Sequence, residues 1–259
     1  MDGGAPGEAH VEFDRVRMAF GERVVFRSLT CRFPRAKISV ILGGSGSGKS
    51  TVLRLIGGLV APQAGRIVVD GDEVTGRSES GLYAVRRKLG MMFQGGALLD
   101  SLTVFDNVAF PLREHTAMRE PEIADQVHAT LAAVGLKDVD TLLPGQLSGG
   151  MVKRAALARA IIMRPVILLC DEPFSGLDPI SVKLIERLLA RVNDQLHATM
   201  LIVSHHIAST MRLADWVVLL LPDGAVAGRP EELRRSTDSR VAGFFNEEAS
   251  DAAGAEAGA

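Results

Sequence analysis

Gly43-Gly44-Ser45-Gly46-Ser47-Gly48-Lys49-Ser50-Thr51 decides how this chain is read. The stretch has the form Gly-x4-Gly-Lys-Ser and follows directly on Ile38-Ser39-Val40-Ile41-Leu42, a short and nearly all-apolar run. Such a run suits a parallel strand covered on both faces. Helix-forming residues follow, from about Lys49 to Leu59. Between a strand and a helix, glycines let the backbone turn several N–H groups inward as an anion nest, and the helix adds its positive dipole end. A loop of this kind asks Lys49 to reach the β- and γ-phosphates of a nucleotide, and the Ser50 hydroxyl to ligate Mg²⁺. The alternative is a flexible Gly/Ser connector, and the flanking strand and helix argue against it.

A second apolar run, Val166-Ile167-Leu168-Leu169-Cys170, delivers Asp171 and Glu172 at its C-terminal end. Ligands of parallel sheets sit at that end. Downstream of a phosphate loop, Asp171 is expected to hold the Mg²⁺ shell, and Glu172 to orient or deprotonate an attacking water. Taken alone, an acidic pair after a strand could equally be a cap or a solvated turn.

A third stretch narrows the class. Leu147-Ser148-Gly149-Gly150-Met151 precedes Val152-Lys153-Arg154-Ala155-Ala156-Leu157-Ala158-Arg159-Ala160, a strong helix former,. Ser148 is a favoured N-cap, and Gly149 and Gly150 allow close approach to a phosphate at the helix start. By itself this would be an ordinary capped helix. Its position between the phosphate loop and the carboxylate run gives it a different meaning.

With these three stretches in place, residues 10–236 resemble the nucleotide-binding subunits of ABC transporters. The resemblance implies an α/β fold: a P-loop NTPase (RecA-like) core with a mixed, largely parallel sheet, an N-terminal antiparallel β region and an inserted α-helical subdomain. It implies core segments at 10–94 and 165–236, helical subdomain 95–164, a disordered N-terminus 1–9, and a short C-terminal helix with a disordered tail over 237–259. Phe20 matches the aromatic that stacks on adenine, although a core phenylalanine is the competing reading. Gln94 matches the glutamine that senses Mg²⁺ and links to the membrane subunit. Ser175-Gly176-Leu177-Asp178 matches the loop that crosses the dimer interface. His205 matches the switch histidine at the γ-phosphate. The family usually has aspartate at the next position, where this chain has His206, and many relatives carry proline at Gly44. Two such subunits meet head to tail, each ATP lying between one copy's loop and the other's Ser148, Gly149 and Gly150.

A narrower resemblance begins at Phe93-Gln94-Gly95-Gly96-Ala97-Leu98-Leu99 and runs to Thr116; Met151 and Phe174 add to it. It points to the ATPase subunits of bacterial phospholipid transporters of the Mla type, related to Mce systems, which maintain outer-membrane lipid asymmetry. It implies a membrane-spanning permease received near residues 93–111, a small STAS-type accessory subunit, a periplasmic lipid-binding Mce-type subunit, and a peripheral position on the cytoplasmic face of the inner membrane.

Composition sets the outer limits. The chain has 259 residues, enough to bury a sizeable core,. Its net charge of −2 and 5% aromatic content argue against a nucleic-acid partner,. Two cysteines, Cys31 and Cys170, are too few for a disulfide scaffold, and Cys170 reads as a small buried hydrophobe,. Residues 1–10 do not read as a signal peptide, and no apolar run approaches the ~20 residues of a membrane helix,. His10, His115, His128 and His197 lack metal-ligand spacing and read as surface residues. The rivals are an ABC ATPase for another substrate, a soluble ABC ATPase acting on DNA or ribosomes, and a metabolic P-loop kinase. Repair members carry long coiled-coil insertions and translation factors carry tandem units, whereas a kinase would leave Ser148 and the 175–178 loop without a role.

Overall fold

The computed structural model describes residues 8–205 and 207–245. The chain forms two compact units, one built from the segments up to Arg86 and from Leu201 onward, the other from Arg87–Met200.

In the first unit, β1 (Ala9–Phe20) and β2 (Arg23–Pro34) form an antiparallel hairpin, extended by β4 (Ala64–Val69) and β5 (Asp72–Glu73) in the order β2-β1-β4-β5. Alternation sets the buried face: Val11, Phe13, Val16, Leu29, Cys31 and Phe33 are all buried, and Phe13 meets Phe33 edge to face,. Ala9, expected in the disordered terminus, is the first residue of β1. His10, expected at the surface, is 3% exposed because its imidazole hydrogen-bonds Asp70 Oδ1 at 3.0 Å. Burial outweighs that partner and lowers the His10 pKa.

The strand before the phosphate loop is β3 (Ile38–Leu42), with all five residues buried. It runs parallel to β9 (Trp216–Leu221), on which β10 (Gly224–Gly228) pairs antiparallel, in the order β10-β9-β3-β8. The last of these, β8 (Thr199–Val203), is divided between the units. Helix α1 (Lys49–Ile56) ends three residues short of the expected Leu59. Gly58 turns to φ 61° there, and Arg86, closing α2 (Glu79–Arg86), donates to the Gly57 and Gly58 carbonyls at 3.0 and 2.9 Å. The short helices α7 (Ile207–Leu213) and α8 (Pro230–Arg234) follow, and residues 239–245 are helical. The expected tail from Asn246 onward lies outside the described residues.

In the second unit, β6 (Leu89–Met92) runs parallel to β7 (Ile167–Asp171), in the order β8-β7-β6. The apolar run Met91-Met92-Phe93 predicts a strand ending at Phe93, but Phe93 leaves β6 and is 38% exposed, and Gly95 and Gly96 take φ 75° and 86° in the turn that follows. Val166 likewise lies outside β7, which takes in Asp171 instead. Four helices complete the unit: α3 (Val104–His115), α4 (Glu120–Ala133), α5 (Gly149–Ile161) and α6 (Pro179–Leu196). Helical spacing in the sequence predicts helices over 103–112, 121–134 and 148–163, within one to three residues of the first three,. α3 is locked by Asn107, fully buried, which donates to the Leu99, Leu102 and Thr103 carbonyls and accepts from the Leu99 N–H. α6 was not foreseen. Its signals are nonetheless present: Asp178 as N-cap, Pro179 in the first turn, and Val182, Ile185, Leu189 and Val192 at helical spacing,.

Candidate functional site

The phosphate loop occupies the turn from β3 into α1. Gly43 has φ 151°, Gly46 φ 74° and Gly48 φ 95°, values closed to most side chains,. A Cβ on Gly48 would stand 2.5 Å from Val25 Cγ1 and 2.6 Å from Phe26 Cζ, and one on Gly43 would stand 2.9 Å from the Leu220 carbonyl. A Cβ on Gly44 would touch nothing, so that position does not require glycine. α1 starts at Lys49, after Gly48 at the N-cap, without a side-chain cap. First-turn N–H groups of a helix have no acceptor within it, which makes such a start an anion site. Lys49 curls back, its Nζ donating to the Gly43 and Gly44 carbonyls at 2.7 and 3.0 Å. The ammonium thus rests on the loop's own carbonyls.

A hollow of about 300 Å³ lies against this loop. Gly46, Gly48, Lys49, Ser50 and Thr51 line one side; Phe20, Arg23 and Val25 line the other. Phe20 is 45% exposed, which is incompatible with a core role and suits a stacking face,. Arg23 also reaches the Gly46 carbonyl at 3.4 Å. Arg23 and Val25 were missed in the sequence, where they read as ordinary strand residues; only the pleat of β2 turns them toward the loop. Ser45 and Ser47 complete the loop between its glycines. His205, in the same unit, is exposed and follows β8 through the buried Ser204. His206 lies outside the described residues.

The remaining candidates belong to the second unit. β7 presents Asp171 at its last position, 8% exposed, and Glu172 follows, 9% exposed with φ 49°. A glutamate in the left-handed region is uncommon, and such strain concentrates at functional sites. Cys170 beside them is fully buried, and burial with the Asp171 charge pushes its thiol up to about 12, so it is an inert hydrophobe as expected,. Gln94 is exposed in the turn after β6. Its loop is held from α5 by Arg159, which donates to the Gly96 and Ala97 carbonyls at 2.9 and 2.8 Å.

Ser148 caps α5, its Oγ accepting from the Met151 N–H at 3.3 Å. A Cβ on Gly149 would meet only Leu177 Cδ2, at 4.0 Å, and one on Gly150 would meet Ser181 Oγ at 3.4 Å. The chain's own packing therefore demands neither glycine, and an exposed start to α5 remains. Asp178 caps α6 by accepting from the Ile180 and Ser181 N–H groups at 2.9 and 3.0 Å. The Ser181 hydroxyl bond, first among several, holds its carboxyl below the usual range. Phe93, Leu99 and Phe110, in the stretch expected to receive a membrane subunit, are exposed large apolar side chains.

Comparison with known proteins places this arrangement. A family model described as ABC transporter matches residues 26–175. The chain belongs to the ABC transporter family. Its ATPase cassette is 42% identical, over 92% of the chain and 90% of the relative, to the intermembrane phospholipid transport system ATP-binding protein MlaF of Haemophilus influenzae. It is 43% identical to MlaF of Escherichia coli, over 91% and 88%. The probable ribonucleotide transport ATP-binding protein mkl of Mycobacterium tuberculosis is 40% identical, over 93% of the chain and 67% of the relative. Solved cassettes carry the same α/β fold. A dimeric cassette in a post-hydrolysis state with ADP and phosphate superposes with TM-score 0.78, at 29% identity, covering 85% of this chain and 98% of that one. CbiO1 from Clostridium perfringens, part of an ABC transporter complex, superposes with TM-score 0.80 at 27% identity, over 87% and 90%.

Proposed function

We propose that the chain hydrolyses ATP to power phospholipid transport at the inner membrane of a diderm bacterium, in a system that maintains outer-membrane lipid asymmetry. The observation that carries this reading is the identity of 42–43%, over about nine-tenths of both chains, with two phospholipid-transport ATP-binding proteins.

The loop geometry supports ATP as its ligand. The nest, the uncapped start of α1, the Lys49 ammonium and the hollow beside Phe20 fit a triphosphate with a stacked base. Ser45, Ser47 and Thr51 complete the cradle. Ser50, Gln94 and Asp171 supply hard oxygen donors of the kind Mg²⁺ takes beside phosphate and water. Bound there, Mg²⁺ supplies charge neutralisation of the phosphates. Glu172 orients and deprotonates the water, and His205 donates a hydrogen bond toward the γ-phosphate while its other ring nitrogen accepts one. Ser148, Gly149 and Gly150 offer their helix start to the nucleotide of a second copy, with Asp178 in the loop between copies. Closure then depends on the γ-phosphate, so hydrolysis reverses it.

The core is divided as 10–94 and 165–236 around a helical subdomain, 95–164. Phe93, at the end of the core segment, and Leu99 and Phe110 in that subdomain seat the membrane-spanning permease. The complex sits on the cytoplasmic face, with a STAS-type accessory subunit, a periplasmic Mce-type lipid-binding subunit, and no nucleic acid. The mycobacterial likeness supports one rival, ribonucleotide transport. The deciding experiment reconstitutes the complex, purified in gentle detergent, into vesicles holding fluorescent phospholipid. ATP-dependent lipid movement, abolished by Glu172→Gln, is expected. Ribonucleotide movement without lipid movement would overturn the phospholipid reading.

A further inference from the structure

Lys153 lies one turn into α5, five residues after Ser148. It is 4% exposed, which lysine almost never is without compensating partners,. Its Nζ donates to the backbone carbonyl of Glu172 at 2.9 Å and to Ser175 Oγ at 3.2 Å. The Ser175 hydroxyl in turn donates to the same Glu172 carbonyl at 3.0 Å. The three groups form a closed set around one peptide oxygen. That peptide belongs to the residue whose φ of 49° departs from ordinary backbone. A strained conformation persists only where its surroundings hold it. Burial pushes the ammonium pKa down, while the Glu172 and Asp171 charges pull it back up. A buried cation is destabilising unless it is hydrogen-bonded, so packing alone does not account for the contact. The chemistry assigned above makes no use of it.

We infer that Lys153 is a positioning residue, which fixes the Glu172 peptide and so aims its carboxylate from the helix that begins at Ser148. This deepens the proposed reading and rests on it. In a head-to-tail dimer the start of α5 faces the partner's nucleotide, while its Lys153 holds the glutamate that serves the chain's own. A shift of α5 on closure is thus passed to the hydrolytic carboxylate through a single ammonium. Each site then fires according to whether the other is filled.

The test uses the assembled transporter with Lys153→Met, which keeps the length of the side chain and removes its donors. kcat is expected to fall about tenfold to a hundredfold, the cost of a small misplacement at a reacting centre. Binding of a fluorescent ATP analogue should stay within about twofold, because the phosphate loop is untouched. Lys153→Arg, which keeps a cationic donor, should recover most of kcat. In the Glu172→Gln background the same change should cost almost nothing more in single-turnover hydrolysis, because Lys153 acts through Glu172. A near-normal kcat in Lys153→Met, an equal loss of ATP affinity, or a fully multiplicative loss in the double variant would overturn the inference. Should Lys153→Met fail to fold by circular dichroism, Lys153→Gln takes its place under the same two outcomes for kcat and affinity. Normal turnover in Glu172→Gln would instead remove the proposed base, a distinct failure.

Discussion

The phosphate loop and helix α5 both serve a nucleotide in the proposed function, but they are built in opposite ways. The loop is made of backbone: glycines at φ 74° and 95°, carbonyls that hold its lysine, and a helix start left uncapped. α5 is made of side chains reaching out of a helix. Lys153 holds the Glu172 peptide, Arg159 the loop after Gln94, and Arg154 the Gly135 carbonyl at 2.6 Å. A backbone device depends on which residues can adopt its dihedral angles. A side-chain device depends on what the fold brings within reach. The first tolerates no Cβ at certain positions. The second tolerates substitution wherever a donor of similar length survives.

The largest effects should separate binding from chemistry across this divide. Lys49→Ala should lose ATP affinity, whereas Glu172→Gln should bind ATP with unchanged affinity, accumulate a closed dimer and slow turnover by about a hundredfold or more. ATP titration and steady-state hydrolysis of the two variants read the difference, and unchanged titration in Lys49→Ala would count against the cradle. Next comes a contrast inside the loop. Gly48→Ala combines a left-handed φ with contacts near 2.5 Å, and should destabilise the fold by about 2 to 4 kcal/mol and abolish binding,. Gly44→Ala meets open space and should leave melting temperature and affinity nearly unchanged. Equal behaviour of the two would break the account of the loop.

At the start of α5, Ser148→Arg should leave ATP binding intact in single copies while blocking closure on the partner's nucleotide. Sedimentation of the Glu172→Gln, Ser148→Arg double variant with ATP should show monomers; a stable dimer would mean that α5 does not face a second copy. The smallest effect concerns a conventional cap. Thr103 caps α3, accepting from the Asp106 N–H at 3.1 Å and donating to the Asp106 carboxylate at 2.6 Å. Thr103→Ala should cost about 1 kcal/mol of stability by thermal or denaturant unfolding. The Thr103 hydroxyl, followed by Arg113, holds the Asp106 carboxyl below its usual range. A depressed folded pKa stabilises fully above the ordinary carboxylate range and is lost as pH falls through the folded value. The penalty of Thr103→Ala should therefore shrink in acid.

Much of this arrangement was legible in the chain because it is local. Glycine spacing in 43–48, the all-apolar runs into Gly43 and Asp171, and Ser148 ahead of an Ala- and Leu-rich helix each tie residue type to backbone geometry over a few positions. Phe20 entered through the family resemblance, and only the fold decided that it is exposed beside the loop. The failures have a common cause. His10 looked like a surface residue until Asp70, sixty positions away, came to face it. Arg23 carries no signal in the sequence, and only the pleat of β2 turns it over Gly46. α6 was hidden because Asp178 was read for the loop it ends rather than the helix it caps.

Lys153 marks the limit most clearly. In sequence, a lysine in a helix of Ala, Leu and Arg belongs to a solvated face, since nothing nearby offers it a partner. The ordering of residues was enough to specify the glycine-rich turn between β3 and α1 and the carboxylates at the end of β7. Folding alone decided which basic side chains of α5 would be buried, because the carbonyls that receive them lie on segments distant in sequence, and an ammonium is stable out of water only where such acceptors converge.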